Sequence, residues 1–328
     1  MILAGDVGGT KTNLARFEPR GGDPGPPLSA ESLPSGRYRS LEDLIDDYSS
    51  RHPGRCDAAC FGIAGAVVDG AVRLTNLPWS VDSTALARKL GLERVHLMND
   101  LSATGYGIPG LQDSELAELQ PGTPAEDGNA GIIAAGTGLG ESILVRVGRD
   151  LIPVPSEGGH ADFAPRTDAE LRVLQVLRAR HGRVSYERVL SGPGLAAVAE
   201  LVHEERRETA AWRRHLEAAS EGGLAGEISR VGIDSSCQSC GEALRLFVGV
   251  YGAEAGNMAL RAVARGGIYL GGGIAPKILP ALKEGAFIEA FRDKEHLRPL
   301  LATIPVWVIL NEQAALLGAA RYAVRAAV

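Results

Sequence analysis

One pattern of residues occurs twice in this chain, and this repeat constrains the fold more than any other feature. Residues 2–17 read as an apolar strand, a glycine-rich turn and a second strand, and residues 132–147 repeat that order. A shift of 130 positions superposes like residues: Ile2 on Ile132, Ala4 on Ala134, Gly8 on Gly138, Leu14 on Leu144 and Arg16 on Arg146. Two copies of one strand–turn–strand unit, one near the start of each half, predict two related α/β domains.

The rest of the chain alternates between strands and helices, and its 328 residues suit two domains. Short apolar runs predict strands, and helical spacing of apolar residues predicts amphipathic helices. The predicted strands are 58–64, 71–74, 95–98, 267–270 and 305–309, and the predicted helices are 83–90, 168–181, 195–207, 212–220, 239–264 and 313–327. The segment 239–264 is predicted as one long helix or as two helices joined near Gly252. Residues 21–27 are rich in glycine and proline and predict a surface loop. The layout is that of a mixed α/β fold.

Charge and hydropathy narrow the class of partners. The formal net charge is −6 and the pI about 5.7, which argues against nucleic acid or an anionic membrane surface as a partner. No apolar run approaches the roughly 18 residues that a membrane-spanning helix needs. The first residues, with Asp6 close behind Met1, do not resemble a leader peptide. We therefore expect a cytoplasmic protein.

The four cysteines are expected to be reduced thiols in that compartment. Cys237 and Cys240 have the spacing of half a zinc site or of a redox pair. No second Cys/His pair at zinc spacing accompanies them in the sequence. We therefore interpret them as structural thiols, and no zinc is expected.

The two glycine-rich turns, Gly8–Gly9 and Gly136–Gly140, do not match the common nucleotide-binding motifs. Neither is a P-loop, because no Gly-Lys-Ser/Thr follows at the required spacing. The second resembles part of a dinucleotide fingerprint, but a strand follows it where that fingerprint requires a helix. Backbone N–H groups in such turns can hold phosphate oxygens, and the alternative is a plain β-hairpin turn. Because the turn recurs and Asp6 stands beside the first copy, we favour phosphate binding. Side-chain donors could come from Thr10, Lys11, Thr12 and Thr137.

Two aspartates stand at the ends of predicted strands. Asp6 lies beside the first glycines, where a carboxylate can hold Mg²⁺ that bridges nucleotide phosphates; the alternative is an Asx turn. Asp100 follows Asn99 after another apolar strand and precedes the start of a helix. A carboxylate so placed can accept the proton of an attacking hydroxyl while the neighbouring amide orients the substrate. It can equally be a helix N-cap, and position alone does not choose between these roles.

A polar loop, Glu157-Gly-Gly-His160, exposes an acid and an imidazole, and Asp162 stands close behind it. The two could bind a metal together, but further ligands are not evident. Carboxylates and imidazoles also pair with the hydroxyls of a sugar. Glu187, taken alone, is interpreted as a charge on a helix surface. Residues 271–273, all glycine, could lie against a base or ribose, or could form a plain strand-to-helix turn.

Together these segments resemble the bacterial glucokinase family of the hexokinase–actin-like ATPase superfamily. The matching segments run in the family's order over almost the whole chain: Gly5-Asp-Val-Gly-Gly-Thr10, Thr75-Asn76 with Trp79, Asn99-Asp100, Gly136-Thr-Gly-Leu-Gly140, Glu157-Gly-Gly-His160 with Asp162-Phe-Ala-Pro165, Glu187-Arg-Val-Leu-Ser-Gly-Pro-Gly194 and Gly271-Gly-Gly-Ile274. Each segment is modest alone, and the set is specific.

The resemblance implies a fold and an activity. The fold is α/β, with two ribonuclease-H-like domains of the actin-like ATPase type and a cleft between them. The small domain is placed at residues 1–110 plus 312–328, and the large domain, with helical insertions, at residues 111–311. The implied activity is ATP-dependent phosphorylation of glucose at its 6-hydroxyl, with Mg²⁺ accompanying ATP. The resemblance is also compatible with a homodimer.

Residue roles follow from the resemblance by position. The catalytic base maps to Asp100, and Asp6 is expected to hold Mg²⁺ through water. The implied sugar-binding residues are Asn76, Asn99, Asp100, Glu157, His160 and Glu187. The implied ATP-binding residues are Gly5, Asp6, Val7, Gly8, Gly9, Thr10, Gly136, Thr137, Gly138, Gly271, Gly272 and Gly273. Only the resemblance changes Glu187 from a surface charge into a sugar ligand.

Two alternatives stay open at this point. One is a kinase for another hexose, such as mannose, fructose or an amino sugar. The other is a sugar-sensing regulator without catalysis, against which the intact Asp6, Asp100 and glycine turns argue. A related family of repressors and kinases binds zinc through the histidine of an acid-Gly-Gly-His loop and three clustered cysteines. This chain has only Cys237 and Cys240 in that region, which again predicts no zinc.

Overall fold

The computed structural model describes residues 1–74, 77–219 and 223–326. The chain divides into two compact units. The first unit comprises Met1–Glu115, Asp150–Pro155 and Asn311–Val328, and the second comprises Leu116–Arg149 and Ser156–Leu310. Each unit builds a hydrophobic core around its own sheet.

Strands and helices alternate through both units. The strands are β1 Ile2–Val7, β2 Lys11–Arg20, β3 Asp23–Pro34, β4 Ala58–Ile63, β5 Ala71–Arg73, β6 Ser80–Asp82, β7 Val95–Asn99, β8 Leu116–Gln120, β9 Ala130–Ala135, β10 Leu139–Val147, β11 Asp150–Val154, β12 Gly267–Gly271 and β13 Val306–Ile309. The α-helices are α1 Leu41–Arg51, α2 Ser83–Leu90, α3 Asp100–Gly107, α4 Asp168–His181, α5 Gly192–Glu205, α6 Thr209–Ala218, α7 Gly223–Ile233, α8 Gln238–Ala262, α9 Leu279–Lys283, α10 Ala286–Arg292, α11 Arg298–Thr303 and α12 Ala314–Ala326.

The main sheet of the first unit has the strand order β3-β2-β1-β4-β7. Strands β1, β2 and β3 are antiparallel neighbours, whereas β1, β4 and β7 run parallel. All six residues of β4 are buried, as expected for a parallel strand that is covered on both faces. The C-terminal helix α12 packs its alanine-rich face against this sheet, with Ala319 and Ala323 fully buried. One end of the sheet therefore carries the β1–β2 turn and the junction of β7 with α3.

The second unit repeats this arrangement. Within it the strands lie in the order β10-β9-β12-β13-β8. The pair β9–β10 is antiparallel, and β9, β12 and β13 run parallel. These four strands have the same order and directions as β2, β1, β4 and β7. The duplication that the sequence repeat predicts is therefore confirmed at the level of strands, as is the mixed α/β class.

The residue alignment of the repeat is wrong by about two positions. In the first hairpin Val7 pairs with Thr12, and in the second Ala135 pairs with Leu139. The equivalent turns are thus displaced by about 128 residues rather than 130. The pairing also leaves four residues in the first turn and three in the second. Because the turns differ in length, no single shift superposes both strands of each hairpin.

Other boundaries show where sequence patterns succeed and fail. Helix α4 has the predicted bounds, because Thr167 caps it through the backbone N–H of Glu170. Helix α8 is one continuous helix of 25 residues, with no break at Gly252. The surface loop predicted at 21–27 is wrong, because β3 begins at Asp23 and only the turn at Gly21–Gly22 separates it from β2. None of the helices in the described ranges has both the length and the apolar composition that crossing a bilayer requires.

Glu141 on β10 is a buried acid whose negative charge is only partly balanced by nearby positive charge and hydrogen bonds. Its side chain is 4% exposed, and no hydrogen-bond partner for Oε1 occurs in the described part of the chain. Arg261 Nη1 lies 3.8 Å from Glu141 Oε2, but the same guanidinium pairs at 2.6 Å with buried Glu254. Burial, followed by the charge of Glu254, raises the pKa of Glu141 to about 7.

Glu141→Gln is therefore expected to stabilise the protein at alkaline pH. Below pH 4.5 Glu141 is protonated in both the folded and the unfolded chain, so its pKa shift has no effect on stability. Between pH 4.5 and 7 the folded chain binds more protons, so stability falls as pH rises, by about 3 kcal/mol in total. Urea unfolding at pH 5 and pH 8 should show a gain for the variant mainly at pH 8. The exposed Glu118→Gln is the control, and an equal gain at both pH values would contradict this account.

Candidate functional site

The glycine turn of the first unit connects β1 to β2, and Ser35 holds it in place through hydrogen bonds. The backbone N–H of Gly8 donates to Lys11 O at 3.0 Å, and the backbone N–H of Ser35 donates to Thr10 O at 3.0 Å. Ser35 Oγ donates to Gly8 O at 2.8 Å and also pairs with Thr12 Oγ1 at 2.9 Å. Thr12 is fully buried, so its hydroxyl supports the turn from inside, whereas Thr10 is exposed. Val7 is also fully buried, which leaves its backbone as its only means of contacting phosphate.

Asp6 lies at the end of β1 in an environment that suits a divalent cation. In the described part of the chain its carboxylate makes one hydrogen bond, accepted by Oδ2 from Asn13 Nδ2 at 3.0 Å. Burial, followed by the nearby charge of Asp100, raises the pKa of Asp6 to about 6, although the Asn13 hydrogen bond opposes this rise. A buried oxygen ligand with uncompensated negative charge is the kind of group that Mg²⁺ neutralises. The residues present therefore fit a magnesium ion.

Position alone left two roles open for Asp100, a catalytic base and a helix N-cap, and the structure bears on the second. The N-cap of α3 is Asn99, whose Oδ1 accepts from the backbone N–H of Leu101 at 3.0 Å. Asn99 Nδ2 donates to Gly65 O at 3.1 Å, which fixes the side-chain amide. Asp100 is the first residue of the helix, and its Oδ1 accepts from the Leu101 N–H at 2.9 Å. Burial raises the pKa of Asp100, although the hydrogen bond from Leu101 opposes this rise. The cap is thus supplied by the neighbour, and Asp100 is a half-buried acid beside Asp6.

In the second unit, Glu187 lies directly against the glycine turn. Glu187 Oε2 accepts from the backbone N–H of Leu139 at 3.0 Å. A methyl group placed on Gly138 would meet this oxygen at 2.5 Å, so a side chain at residue 138 would push the acid out of this position. The backbone N–H of Gly136 donates to Gly138 O at 2.8 Å, and that of Gly192 donates to Gly136 O at 2.9 Å. Glu187 is therefore held by the turn and is not a free surface charge.

The polar loop of the second unit brings three predicted sugar ligands together. Residues Gly158–His160 form one turn of 3₁₀ helix. The His160 ring lies between two carboxylates, with Nε2 3.9 Å from Glu157 Oε2 and Nδ1 3.8 Å from Glu187 Oε1. All three side chains are partly exposed, between 33% and 80%, so their polar atoms remain available to a ligand.

Arg183 holds this loop in place. Its Nη2 donates to His160 O at 2.7 Å, and its Nε donates to Asp162 Oδ1, also at 2.7 Å. Asp162, which the sequence suggested as a further polar group near the loop, is therefore engaged by a guanidinium. Its part in the site is to support the loop backbone.

The third glycine segment, 271–273, opens onto a cavity of the second unit. Gly272 has a φ of +78°, and a side chain there would overlap Ala135 O, so the segment turns sharply and lies flat on β9. The cavity has a volume of about 860 Å³ and is bordered by Thr137, Gly273 and Lys277. It is also lined by α7, from Gly223 to Ile233, and by Asp234 directly after that helix. A largely apolar cavity between a phosphate-type turn and a glycine segment suits a nucleotide base and ribose.

The predicted site residues that the structure describes are divided between the two units, and one predicted residue lies outside the described ranges. The first unit contains Gly5, Asp6, Val7, Gly8, Gly9, Thr10, Asn99 and Asp100. The second unit contains Gly136, Thr137, Gly138, Glu157, His160, Glu187, Gly271, Gly272 and Gly273. The predicted sugar ligand Asn76 lies outside the described residues. Sequence patterns did not predict α7 as a cavity wall, and the signal that this helix offers is its run of small residues, Gly223, Ala225 and Gly226.

The chain is similar to known proteins in both sequence and structure. Residues 3–326 match the protein family described as Glucokinase. A curated glucokinase of Nostoc sp. is 40% identical over 99% of both chains. The crystal structure of a glucokinase from an Antarctic psychrotroph is 29% identical, with a TM-score of 0.85 over 98% of both chains. A glucokinase from Balamuthia mandrillaris, crystallised in complex with glucose, shares the fold at 22% identity, with a TM-score of 0.78 over 98% of this chain and 93% of that one.

Proposed function

The chain belongs to the glucokinase family and is an enzyme that phosphorylates glucose with ATP, and from this premise we propose which of its residues carry the reaction. Asp100 is the general base, Asp6 holds Mg²⁺, and Glu157, His160 and Glu187 bind the sugar. The 6-hydroxyl of glucose attacks the γ-phosphorus of ATP in line with the departing ADP oxygen.

The observation that carries this proposal is the environment of Asp100. Its side chain is half-buried and stands at the first position of α3, while Asn99 is the N-cap. Burial raises its pKa toward the range in which a carboxylate accepts a proton from an attacking hydroxyl. Its Oδ1 accepts a hydrogen bond from the Leu101 N–H, so a backbone group, rather than a flexible side chain, fixes the orientation of the carboxylate.

The glycine turns supply electrostatic stabilisation by backbone donors. The turn at 8–10 and the turn at 136–138 both follow a buried strand. Because the N–H groups of Gly8 and Gly136 bond within their own turns, the donors to phosphate would be those of the residues that follow them, Gly9 and Thr10 in the first turn and Thr137 and Gly138 in the second. Asp6 would hold Mg²⁺, directly or through water, and the ion when bound neutralises phosphate charge. The cavity beside Gly273 and Thr137 would take the adenosine, because its apolar wall and bare backbone suit a flat base.

A coupled assay with a panel of sugars and phosphoryl donors tests this function. Glucose with ATP should give the highest kcat/KM, and mannose, fructose and glucosamine should be slower. ADP and polyphosphate should not replace ATP. A higher kcat/KM with another hexose would mean that this hexose, and not glucose, is the preferred substrate. No turnover with any pair of sugar and donor would favour the sugar-sensing alternative.

Glu187→Gln is expected to weaken glucose binding selectively. The amide keeps an oxygen that can accept from the Leu139 N–H, so the turn should stay in place. It loses a charge-assisted hydrogen bond to a sugar hydroxyl, worth about 1.5–3 kcal/mol, or roughly 10- to 100-fold in KM for glucose. The KM for ATP should change by less than about threefold.

The matched control is Glu200→Gln, because Glu200 has nearly the same side-chain exposure, 34% against 33% for Glu187. It pairs with Arg180 on the surface and should have kinetics like those of the wild type. An unchanged KM for glucose in Glu187→Gln would remove Glu187 from the sugar site.

The cellular location and the oligomeric state of the protein also belong to this proposal. A cytoplasmic location is supported by the use of ATP and by four cysteines that are all free thiols. A homodimer is compatible with the family resemblance, and light scattering of the purified chain would decide it. Neither nucleic acid nor a membrane is expected as a partner, because the chain is acidic.

A further inference from the structure

Four potential metal ligands from three helical segments meet in the second unit, away from the residues described above. They are His203 on α5, His215 on α6, Cys237 at the N-cap of α8 and Cys240 in its first turn. Their ligand atoms all lie within 4.8 Å of one another. We propose that this cluster binds one structural zinc ion.

The orientation of His203 favours metal binding. Its Nδ1 lies 2.7 Å from Ala199 O, and a carbonyl can only accept, so Nδ1 carries the proton. The lone pair therefore resides on Nε2, which points at Cys237 Sγ, 3.6 Å away. Zinc-bound histidines are oriented in this way, with the ring nitrogen that does not bind the metal donating to a carbonyl or carboxylate.

His215 has a comparable support from α7. Its Nδ1 lies 3.6 Å from Glu227 Oε1, and the two side chains are only 15% and 11% exposed. The rings of His203 and His215 stand edge to face with their centroids 5.6 Å apart. Two imidazoles thus turn toward the same two sulfurs, and each has an oxygen near its Nδ1.

The two thiols occupy the turn that opens α8. Cys237 Sγ accepts from the backbone N–H of Cys240 at 3.1 Å, and the two sulfurs lie 2.6 Å apart. In a tetrahedral zinc site, with Zn–S bonds of about 2.3 Å, two sulfurs stand about 3.8 Å apart. Rotation of the two cysteine side chains that moves their sulfurs apart by about 1 Å would produce that spacing. Two sulfurs and two imidazoles make a Cys₂His₂ set, which in proteins is characteristic of structural zinc.

A redox pair is the other chemistry that the Cys237–Cys240 spacing allows. It does not explain the histidines, because a dithiol needs neither of them and one would suffice to activate a thiolate. The expectation of no zinc rested on the absence of a second Cys/His pair at zinc spacing and on the lack of the third cysteine that the related zinc-binding family has. The structure supplies that pair, because folding brings together two histidines that stand 12 positions apart, outside the usual spacing of three to five intervening residues.

The ion would fasten the outer helix α6 to the body of the unit. No residue of α6 is fully buried, and its apolar packing on the core comes from the partly buried Trp212. Besides His215, α6 contacts the body through Trp212, whose ring lies 5.3 Å from that of His203. Glu227 belongs to α7, the helix that borders the cavity, so the ion would also brace that wall. Release of zinc should therefore loosen α6 first.

Metal analysis of the full chain, purified without a histidine tag, tests the proposal directly. Mass spectrometry of the metal content should find about one zinc per chain, since a Cys₂His₂ set binds a single ion. Replacement by Co²⁺ should give the thiolate charge-transfer band and the intense visible bands of a tetrahedral site. Cys240→Ser and His215→Asn should each lose most of the zinc, whereas Cys56→Ser, which alters a buried cysteine outside the cluster, should keep it.

Limited trypsin digestion gives a second measurement that needs no variant. Arg213 and Arg214 are exposed on α6 and should be cleaved at least several-fold faster after chelation than before it. Absence of zinc from the wild-type chain, both as isolated and after incubation with one equivalent of Zn²⁺ and desalting, would overturn the proposal. So would a Cys237–Cys240 disulfide in chain isolated under thiol-blocking conditions. The metal content of the wild type decides the matter even if the variants fail to fold, and it does not depend on glucokinase activity.

Discussion

Asp100→Asn is expected to lower kcat by about 10²- to 10⁴-fold, the usual contribution of a general base. Asparagine has nearly the same shape, and its Oδ1 can still accept the Leu101 N–H that Asp100 accepts at 2.9 Å. The start of α3 should therefore stay folded, and glucose binding, measured by calorimetry, should change only a few-fold. The loss should appear in kcat, measured by a coupled assay at saturating glucose and ATP.

The matched control is Asp168→Asn. Asp168 is also the first residue of an α-helix, but it is exposed and stands on α4. Its replacement should leave kcat unchanged and alter stability by no more than about 0.5 kcal/mol. A kcat within tenfold of the wild-type value for Asp100→Asn would remove Asp100 from the role of base.

The pH dependence of turnover should report the same group. A base must be unprotonated, so the rate falls as pH drops through its pKa. Because burial raises the pKa of Asp100, this acidic limb should lie above the ordinary aspartate value. Asp6, with a pKa of about 6, titrates nearby, so the profile of Asp100→Asn is the necessary comparison. The limb that persists in that variant belongs to other groups.

Local patterns in the sequence predicted the elements that local interactions determine. Helix α4 was predicted with its final bounds because its cap, its acidic first turn and its apolar spacing agree. The two hairpins were predicted because a buried strand, glycines and a second strand follow one another directly. Their register was wrong because turn length depends on backbone geometry, which the residue pattern does not show.

Contacts between distant residues were the part that the sequence did not reveal. Glu187 was interpreted as a surface charge until the family resemblance, because its partner Leu139 lies 48 residues away. The sequence did not connect His203 and His215 with Cys237 and Cys240 for the same reason, since they lie on different helices. The sequence also did not show that the N-cap of α3 is Asn99 rather than Asp100; Asn99 Oδ1 accepts from the N–H groups of both Leu101 and Ser102. Such contacts depend on the packing of whole helices.

The packing of α3, which carries Asp100, against α12 depends on glycine. A methyl group on Gly318 of α12 would overlap Ala103 O and would lie 2.6 Å from the backbone nitrogen of Gly107. A methyl group on Gly107 would in turn overlap Ala314 O. The atoms that either methyl group would meet belong to the backbone, so they cannot rotate away as a flexible side chain can. The two helices can approach this closely only while both crossing positions lack a side chain.

Gly318→Ala is therefore expected to destabilise the first unit by about 3 kcal/mol or more, the upper range for overpacking of a core. The helix-forming preference of alanine, about 1 kcal/mol, opposes this loss without cancelling it. Urea unfolding would measure the change in stability. Gly249→Ala is the control, because this glycine is also inside a helix, α8, and its nearest contact for an added methyl is the end of the Arg166 side chain at 3.9 Å.

The same substitution should impair catalysis in the molecules that remain folded. Relief of the overlap requires α3 to move away from α12, and Asp100 is the first residue of α3. A shift of about 1 Å in a catalytic group can cost about 10²-fold in rate. We expect kcat to fall at temperatures well below the unfolding transition, with the KM for ATP less affected. Stability within 0.5 kcal/mol of the wild type and an unchanged kcat would show that the helices can separate without moving Asp100.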